Sequence, residues 1–337
     1  MTEPRLVVGV ALYGGGEHVE EALESILGQT YRDLAVVLTD DLPSSEVEAI
    51  VGRLHDPRVT YVANERRLGL VGNWKRAFEV ARARHPEAPY FAWASDHDAW
   101  HPHWAERLVA ALDEHPATVV AYPKTYRMAR SGSTLRTKDW HCDTRGEADA
   151  ARRLRAAVNG MSAGNMVYGV YRVSALERAG VMRSVLLPDR LLLTELAIAG
   201  DLHQVPERLF YRRTTEAPTI ERQRAAFWPD GMPWYARLPW TWQHVGVIWG
   251  LALLGRLGQP GTGIGARVRL AAVHAMATGL YAGRRLVGRA YIRMVGGRSL
   301  KREAAKLLIR TVRTLQAHWW GQPVLALGRR GRDVLSR

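Results

Sequence analysis

Apolar positions in the first third of the chain follow two alternating rhythms. Short continuous runs, Leu6 to Leu12, Leu34 to Thr39, Val59 to Val62 and Tyr90 to Ala94, read as buried strands. Between them the apolar spacing becomes helical, over roughly 17–29, 44–54 and 71–84. In the first of these helices Val19, Ala22, Leu23, Ile26 and Leu27 share one face, and the turn Gly14-Gly15-Gly16 leads into it. Strand-then-helix units in series predict a parallel α/β sheet that takes its ligands outside the carboxyl ends of the strands. Asp40, Asp41, Asp96 and Asp98 all fall at such ends.

The middle of the chain is more mixed. Val119 to Tyr122 and Asn165 to Tyr171 read as strands, 123–146 as a polar acceptor or lid loop, and 147–158 as a basic helix. Asp189 to Ala199 follows as a helix with a strong apolar face, and Leu202 to Arg212 as a closing strand. The pattern changes near residue 215. Five of the 12 tryptophans lie between 228 and 249, and residues 238–255 carry no Asp, Glu, Lys or Arg. That run approaches the length of a membrane span. Pro239, Gln243, His244 and three glycines within it favour an interfacial or buried helix instead. Long Arg-rich helices are expected from 264 to 316. The chain thus divides into an α/β domain, 1–215, and a basic, Trp-containing helical region, 216–337.

Charge sharpens this division. The net charge of +14 is carried by residues 261–337, with sixteen basic and two acidic residues; in 1–260 the two signs balance. A basic tail favours polyanions, either nucleic acid or an anionic membrane surface. No helix-turn-helix, zinc or RNP-type pattern is present, so no nucleic acid is expected. The single cysteine, Cys142, allows no intrachain disulfide framework and no zinc cluster. Together with the lack of a signal-peptide pattern, it leads us to expect a cytoplasmic protein, peripheral at the inner face of the cell membrane if the tail docks there.

The candidate chemistry lies in three acidic stretches. In "YFAWASDHDAWHP" an apolar strand runs into Asp96 and Asp98. Such a pair either forms a solvated turn or holds a hard divalent cation that neutralises a diphosphate leaving group. Asp40-Asp41 either caps the next helix or accepts a hydrogen bond from a base edge. In "PDRLLLTELAIAG" Asp189 either caps a helix that starts with Pro188 or takes a proton from an attacking hydroxyl, with Glu195 as the rival base.

Five stretches in order resemble the family 2 glycosyltransferases of GT-A fold. They are "VGVALYGGGEHVEEALESILGQTYRDLAVVLTDD", "DPRVTYVANERRLGLVGNWKRAFEVA", "FAWASDHDAWHPHWAERLVAAL", "GNMVYGVYRVSALERAG" and "PDRLLLTELAIAGDLHQVPERLFYRR", and together they cover about residues 5–213. The resemblance implies an α/β, Rossmann-like GT-A domain with a helical C-terminal extension. It also implies inverting transfer of a sugar from a nucleoside diphosphate sugar, first of all a UDP-sugar. The acceptor hydroxyl would belong to a glycan, a lipid-linked or a small molecule, in cell-surface glycan, polysaccharide or glycoconjugate synthesis. By the same resemblance Ala11, Tyr13, Asp40, Asp41, Asn73 and Asp96 belong to the donor site. Asp96 and Asp98 would hold Mg or Mn, and Asp189 would be the base. The sequence departs from the family at Ala11 (usually proline), Gly14 (usually asparagine), Leu42-Pro43 (often Gly-Ser) and Lys75 (often asparagine). Two rival readings are an inactive nucleotide-binding or scaffolding protein on the same fold and a basic nucleic-acid-binding protein. The intact Asp96, Asp98 and Asp189 oppose the first.

Overall fold

The computed structural model describes residues 3–129, 131–135, 140–214 and 219–295. It begins with the expected alternation: β1 (Leu6–Leu12), α1 (Val19–Leu27), β2 (Leu34–Asp40), α2 (Ser45–Leu54), β3 (Val59–Ala63), α3 (Gly69–Arg84) and β4 (Tyr90–Ala94). The periodicities explain these elements. Val19, Ala22, Leu23 and Ile26 of α1 are buried at helical spacing. Along β1, Leu6, Val8 and Val10 enter one core cluster, while Val7 joins the cluster on the other face. Ser44 caps α2, its hydroxyl accepting from the Val47 amide at 3.3 Å.

After β4 come β5 (Ala99–Trp100), α4 (Trp104–Glu114), β6 (Thr118–Met128) and β7 (Thr134–Leu135). The chain continues through α5 (Ala150–Gly160), α6 (Ala163–Met166), β8 (Val170–Arg172), α7 (Val173–Ala179), α8 (Pro188–Ala199) and β9 (Asp201–Arg213). The strands form one nine-stranded sheet in the order β3-β2-β1-β4-β8-β6-β9-β5, with β7 paired to β6. β1 to β4 pair in parallel, as expected. The remainder is mixed: β8 runs antiparallel to both β4 and β6, while β6 and β9 are parallel.

Two expectations are corrected here. Residues 165–171 are not one strand, because α6 occupies Ala163–Met166 and only Val170–Arg172 joins the sheet. The Ser162 carbonyl accepts from the Asn165 and Met166 amides, and Asn165 Nδ2 donates to the Ser162 hydroxyl at 2.9 Å, which closes a helical turn. The stretch 123–146 does not start as a loop, since β6 continues to Met128 alongside β9.

Beyond the sheet lie α9 (Ile220–Phe227), a short 3-10 turn (Trp234–Arg237), α10 (Trp240–Leu253) and α11 (Ile264–Val295). The chain forms two compact units, Met1–Thr278 and Gly279–Arg337. No helix among the described residues is long and apolar enough to cross a membrane. The helices expected after 295 lie outside the described residues.

Candidate active site

Asp40 and Asp41 stand where β2 ends. Asp40 is fully buried: its Oδ1 accepts from the Leu42 amide (3.1 Å) and its Oδ2 from the Tyr61 hydroxyl (3.1 Å). Burial, and then the Asp40 charge, push the Tyr61 hydroxyl up to about 12, so it donates throughout the neutral range. Asp41 accepts the Leu68 amide (2.6 Å) and Asn64 Nδ2 (3.1 Å) on Oδ1, and the Gly69 amide (2.8 Å) on Oδ2. It therefore satisfies orphan amides at the start of α3, where a carboxylate also complements the helix dipole. Gly69 is required there. Its φ is +75°, and a Cβ would lie 2.7–2.9 Å from Pro229 and from the carbonyls of Phe227 and Ala226.

Asn73 is buried, and Nδ2 donates to the carbonyls of Leu12 (2.9 Å) and Thr39 (3.0 Å) while Oδ1 accepts from Asn64 (2.9 Å). Its amide thus clamps the ends of β1 and β2 to α3. Ala11 lies in β1 beside Thr39 of β2. Tyr13, just past the strand, is exposed, and the Arg67 guanidinium sits 5.0 Å over its ring. Lys75 lines a cavity of about 340 Å³ together with Arg66, Arg76 and Trp228.

The second group follows β4. Asp98 is buried, with Oδ2 accepting the Ser95 hydroxyl (2.6 Å) and Oδ1 accepting the Arg213 amide (2.7 Å) from the end of β9. Burial holds its carboxyl above the ordinary range, opposed by His97, Ser95 and the Arg213 amide. Asp96 is partly exposed and accepts from His97 Nδ1 at 2.6 Å. Burial alone would lower His97, but the Asp96 hydrogen bond and the charges of Asp98 and Asp96 carry it above its usual value. The Arg213 side chain fixes the turn by donating from Nε to the His97 carbonyl (2.8 Å) and pairing with Glu21.

Asp96 and Asp98 supply hard oxygens, the donor type that Mg and Mn take. No group of three or more His, Cys, Asp or Glu side chains is placed to enclose a metal among the described residues. A pair of carboxylates fits an ion that takes one or two such ligands and completes its shell with phosphate and water.

The third group is at the start of α8. Asp189 lies in the first turn, its Oδ1 accepting from the Arg190 amide at 2.8 Å. Burial raises its carboxyl, against the pull of Arg190 and Arg212. Glu195 is closed off by Arg183, whose Nε and second guanidinium nitrogen reach its two oxygens at 2.7 and 2.8 Å.

Tyr168, between α6 and β8, links the second and third groups. Burial raises its hydroxyl, the charges of Asp98, Asp96 and Asp189 raise it further, and Arg212 opposes them. Its ring packs against Trp74, Trp100 and Phe210. Sequence reasoning missed Tyr168 and Arg212. Arg212 donates to Asn165 Oδ1 at 2.8 Å, and a Cβ at Gly164 would lie 2.9 Å from its guanidinium. The one signal available was its place at the end of a strand, where the candidate acids also cluster.

Comparisons with known proteins bear on the fold and the family. The solved structure of S. aureus TarS 1-349 in complex with UDP-GlcNAc shares the fold, with a TM-score of 0.54 at 13% identity over 80% of this chain and 70% of that one. An uncharacterized protein of Mycobacterium tuberculosis (strain CDC 1551 / Oshkosh) is 35% identical over 80 residues, 24% of this chain and 25% of the relative. The UDP-Glc:alpha-D-GlcNAc-diphosphoundecaprenol beta-1,3-glucosyltransferase WfaP of Escherichia coli is 25% identical over 91 residues, 27% of this chain and 34% of the relative. The chain therefore matches a quarter to a third of the length of these two relatives. The family model described as "Glycosyl transferase family 2" matches residues 7–178. With strand-end acids on a GT-A sheet and a family match over half its length, the chain belongs to glycosyl transferase family 2.

Proposed function

We propose that the chain is an inverting glycosyltransferase that moves a sugar from a nucleoside diphosphate sugar to an acceptor hydroxyl in glycan synthesis. One observation carries this reading: the end of β9 meets the turn after β4, where the Arg213 amide donates to Asp98 Oδ1 at 2.7 Å, while the Arg212 guanidinium, one residue away, donates to Asn165 Oδ1 at 2.8 Å. Two acids suited to a cation and a guanidinium are thus brought together at the strand ends, and their charges, with that of Asp189 at the start of α8, all shift the buried Tyr168 hydroxyl.

In the proposed reaction Asp189 takes the proton from the acceptor hydroxyl, which attacks the anomeric carbon from the face opposite the leaving diphosphate. A carboxyl raised above its ordinary range is the better proton acceptor near neutral pH, provided it is still ionised there. Glu195 is set aside as the base because both its oxygens are held by Arg183. Arg212 offers a guanidinium fork to the diphosphate as its charge grows. Asp96 and Asp98 would hold Mg or Mn, and such an ion, when bound, neutralises the departing diphosphate. Tyr13 with Arg67 forms a platform for the base, while Asp40, Asp41 and Asn73 hold its floor.

A UDP-sugar is the proposed donor, supported by the UDP-GlcNAc in the TarS structure and the UDP-Glc in the name of the E. coli relative. The diphosphoundecaprenol in that name supports a lipid-linked acceptor. The test is a panel of sugar nucleotides titrated with and without Mn, followed by turnover of Asp189→Asn. If no sugar nucleotide binds the wild-type chain, or if Asp189→Asn turns over normally, the reading fails.

A further inference from the structure

α10 presents two different faces. The inner one is buried through Gln243, His244, Ile248, Leu251 and Ala252. The outer one carries Trp242 and Leu253, eleven residues and about three turns apart, each 68% exposed. Leu254 follows at 72%, and Trp234, in the turn before the helix, is 76% exposed. Between Trp242 and Leu253 on the same stripe lie Gly246 and Gly250, where an added Cβ would meet no atom within 4 Å. Among the described residues, none covers Trp242 or Leu253 on this face.

Large apolar side chains at such exposure mark a site of association. The charge pattern selects the partner. Residues 238–255 hold no Asp, Glu, Lys or Arg, and the run is bracketed by Arg237 and Arg256, both exposed. An apolar stripe with tryptophan and flanking arginines, on a helix too short to span, is the pattern of an interfacial helix on anionic lipid. A second copy fits less well, since α10 packed face to face on its twin would bring Arg237 and Arg256 of one chain against those of the other.

We propose that the outer face of α10 lies on an anionic bilayer surface, with Trp242, Leu253 and Leu254 in the headgroup region and Arg237 and Arg256 on lipid phosphates. The inner face ties this docking to the candidate site. Gln243 Oε1 accepts from the Leu186 amide at 2.9 Å, and His244 Nε2 donates to the Leu186 carbonyl at 2.8 Å. Leu187, next in the chain, sits at φ 54°, in the left-handed region that a leucine adopts only under constraint, and Pro188-Asp189 opens α8. The helix on the membrane thus holds the segment that sets Asp189. The purpose of the docking, access to a lipid-linked acceptor, rests on the sugar-transfer reading.

The test is flotation of the full chain on vesicles of phosphatidylglycerol and phosphatidylcholine, and on phosphatidylcholine alone. The wild type is expected to float on the anionic vesicles and to weaken as salt rises. The triple variant Trp242→Gln, Leu253→Gln, Leu254→Gln should partition about tenfold or more weakly, because three large apolar side chains no longer leave water. Brominated lipid should quench its tryptophan emission less than that of the wild type. The variant should keep the wild-type melting temperature and sugar-nucleotide affinity, since the replaced side chains are exposed. Equal flotation of variant and wild type, no flotation of the wild type, or a wild-type dimer that the variant converts to monomer would each overturn the proposal. A chain that binds a sugar nucleotide but does not float counts against docking alone. One that floats but binds no sugar nucleotide counts against the sugar-transfer reading alone.

Discussion

Arg183 grips both oxygens of Glu195, at 2.7 and 2.8 Å, two turns along α8 from Asp189. In the proposed reaction the two acids of one helix therefore have different tasks. Removing one partner of a largely buried pair strands the other, so Glu195→Gln should cost about 2–4 kcal/mol of stability. Near its usual temperature the folded variant should keep most of its turnover. Asp189→Asn should do the reverse: donor affinity close to wild type, and turnover lower by about 100-fold or more. Thermal melts beside single-turnover rates separate the two, and a crossed result would move the base to Glu195.

In the proposed site the diphosphate end rests on Asp98 and Arg212. Asp98→Ala should abolish metal-dependent sugar-nucleotide binding. Arg212→Ala should lower turnover by roughly 100-fold, the scale of losing one charged donor to a developing anion. Calorimetric titration with and without Mn reads the first, and steady-state rates read the second. Unchanged metal dependence in Asp98→Ala would remove this acid from the cation site.

Gly69 offers a purely steric test. With φ at +75° and three atoms within 2.7–2.9 Å of a new Cβ, Gly69→Ala should lose about 2 kcal/mol or more. It should also weaken donor binding, because the Gly69 amide anchors Asp41. A melting temperature equal to that of the wild type would contradict this account of the loop.

Proton linkage gives a test of the base in the wild-type chain. Burial raises Asp189, so the rate should fall with decreasing pH along a limb that lies above the range of an ordinary aspartate, about 3.9. Arg212 opposes the rise, so Arg212→Ala should move that limb to still higher pH. A limb that stays in place on this change would mean that another group titrates.

Stability should follow the buried histidines. Burial lowers His244 to about 3 and His274 to about 4, against about 6.5 in an unfolded chain. The unfolded chain then binds the extra protons. The stabilisation from each neutral ring is complete above about pH 6.5 and is lost as pH falls toward its folded value. At pH 5 the loss should be about 2 kcal/mol for each ring. His244→Asn should therefore show a shallower fall in melting temperature between pH 7 and pH 5. An equally steep fall would assign the effect elsewhere.

Local pattern alone made β1 to β4, α1 to α3 and the acids at their ends legible in the sequence. Period-two and period-3.6 spacing are properties of neighbours in the chain, and Asp40, Asp41, Asp96 and Asp98 follow directly where an apolar run stops. The same spacing misread residues 165–171, where the hydrogen bonds of Ser162 and Asn165 outweigh apolar content and close α6. Which group holds each acid was decided only by the tertiary structure. Arg183 reaches Glu195 across 12 positions, the Arg213 amide reaches Asp98 across 115, and Gln243 reaches Leu186 across 57. The two longer separations lie beyond any local window, and within the shortest no periodicity marks the pair. A carboxylate's partners, and with them its burial, pKa and remaining acceptor sites, depend on which elements the sheet and the helices bring together.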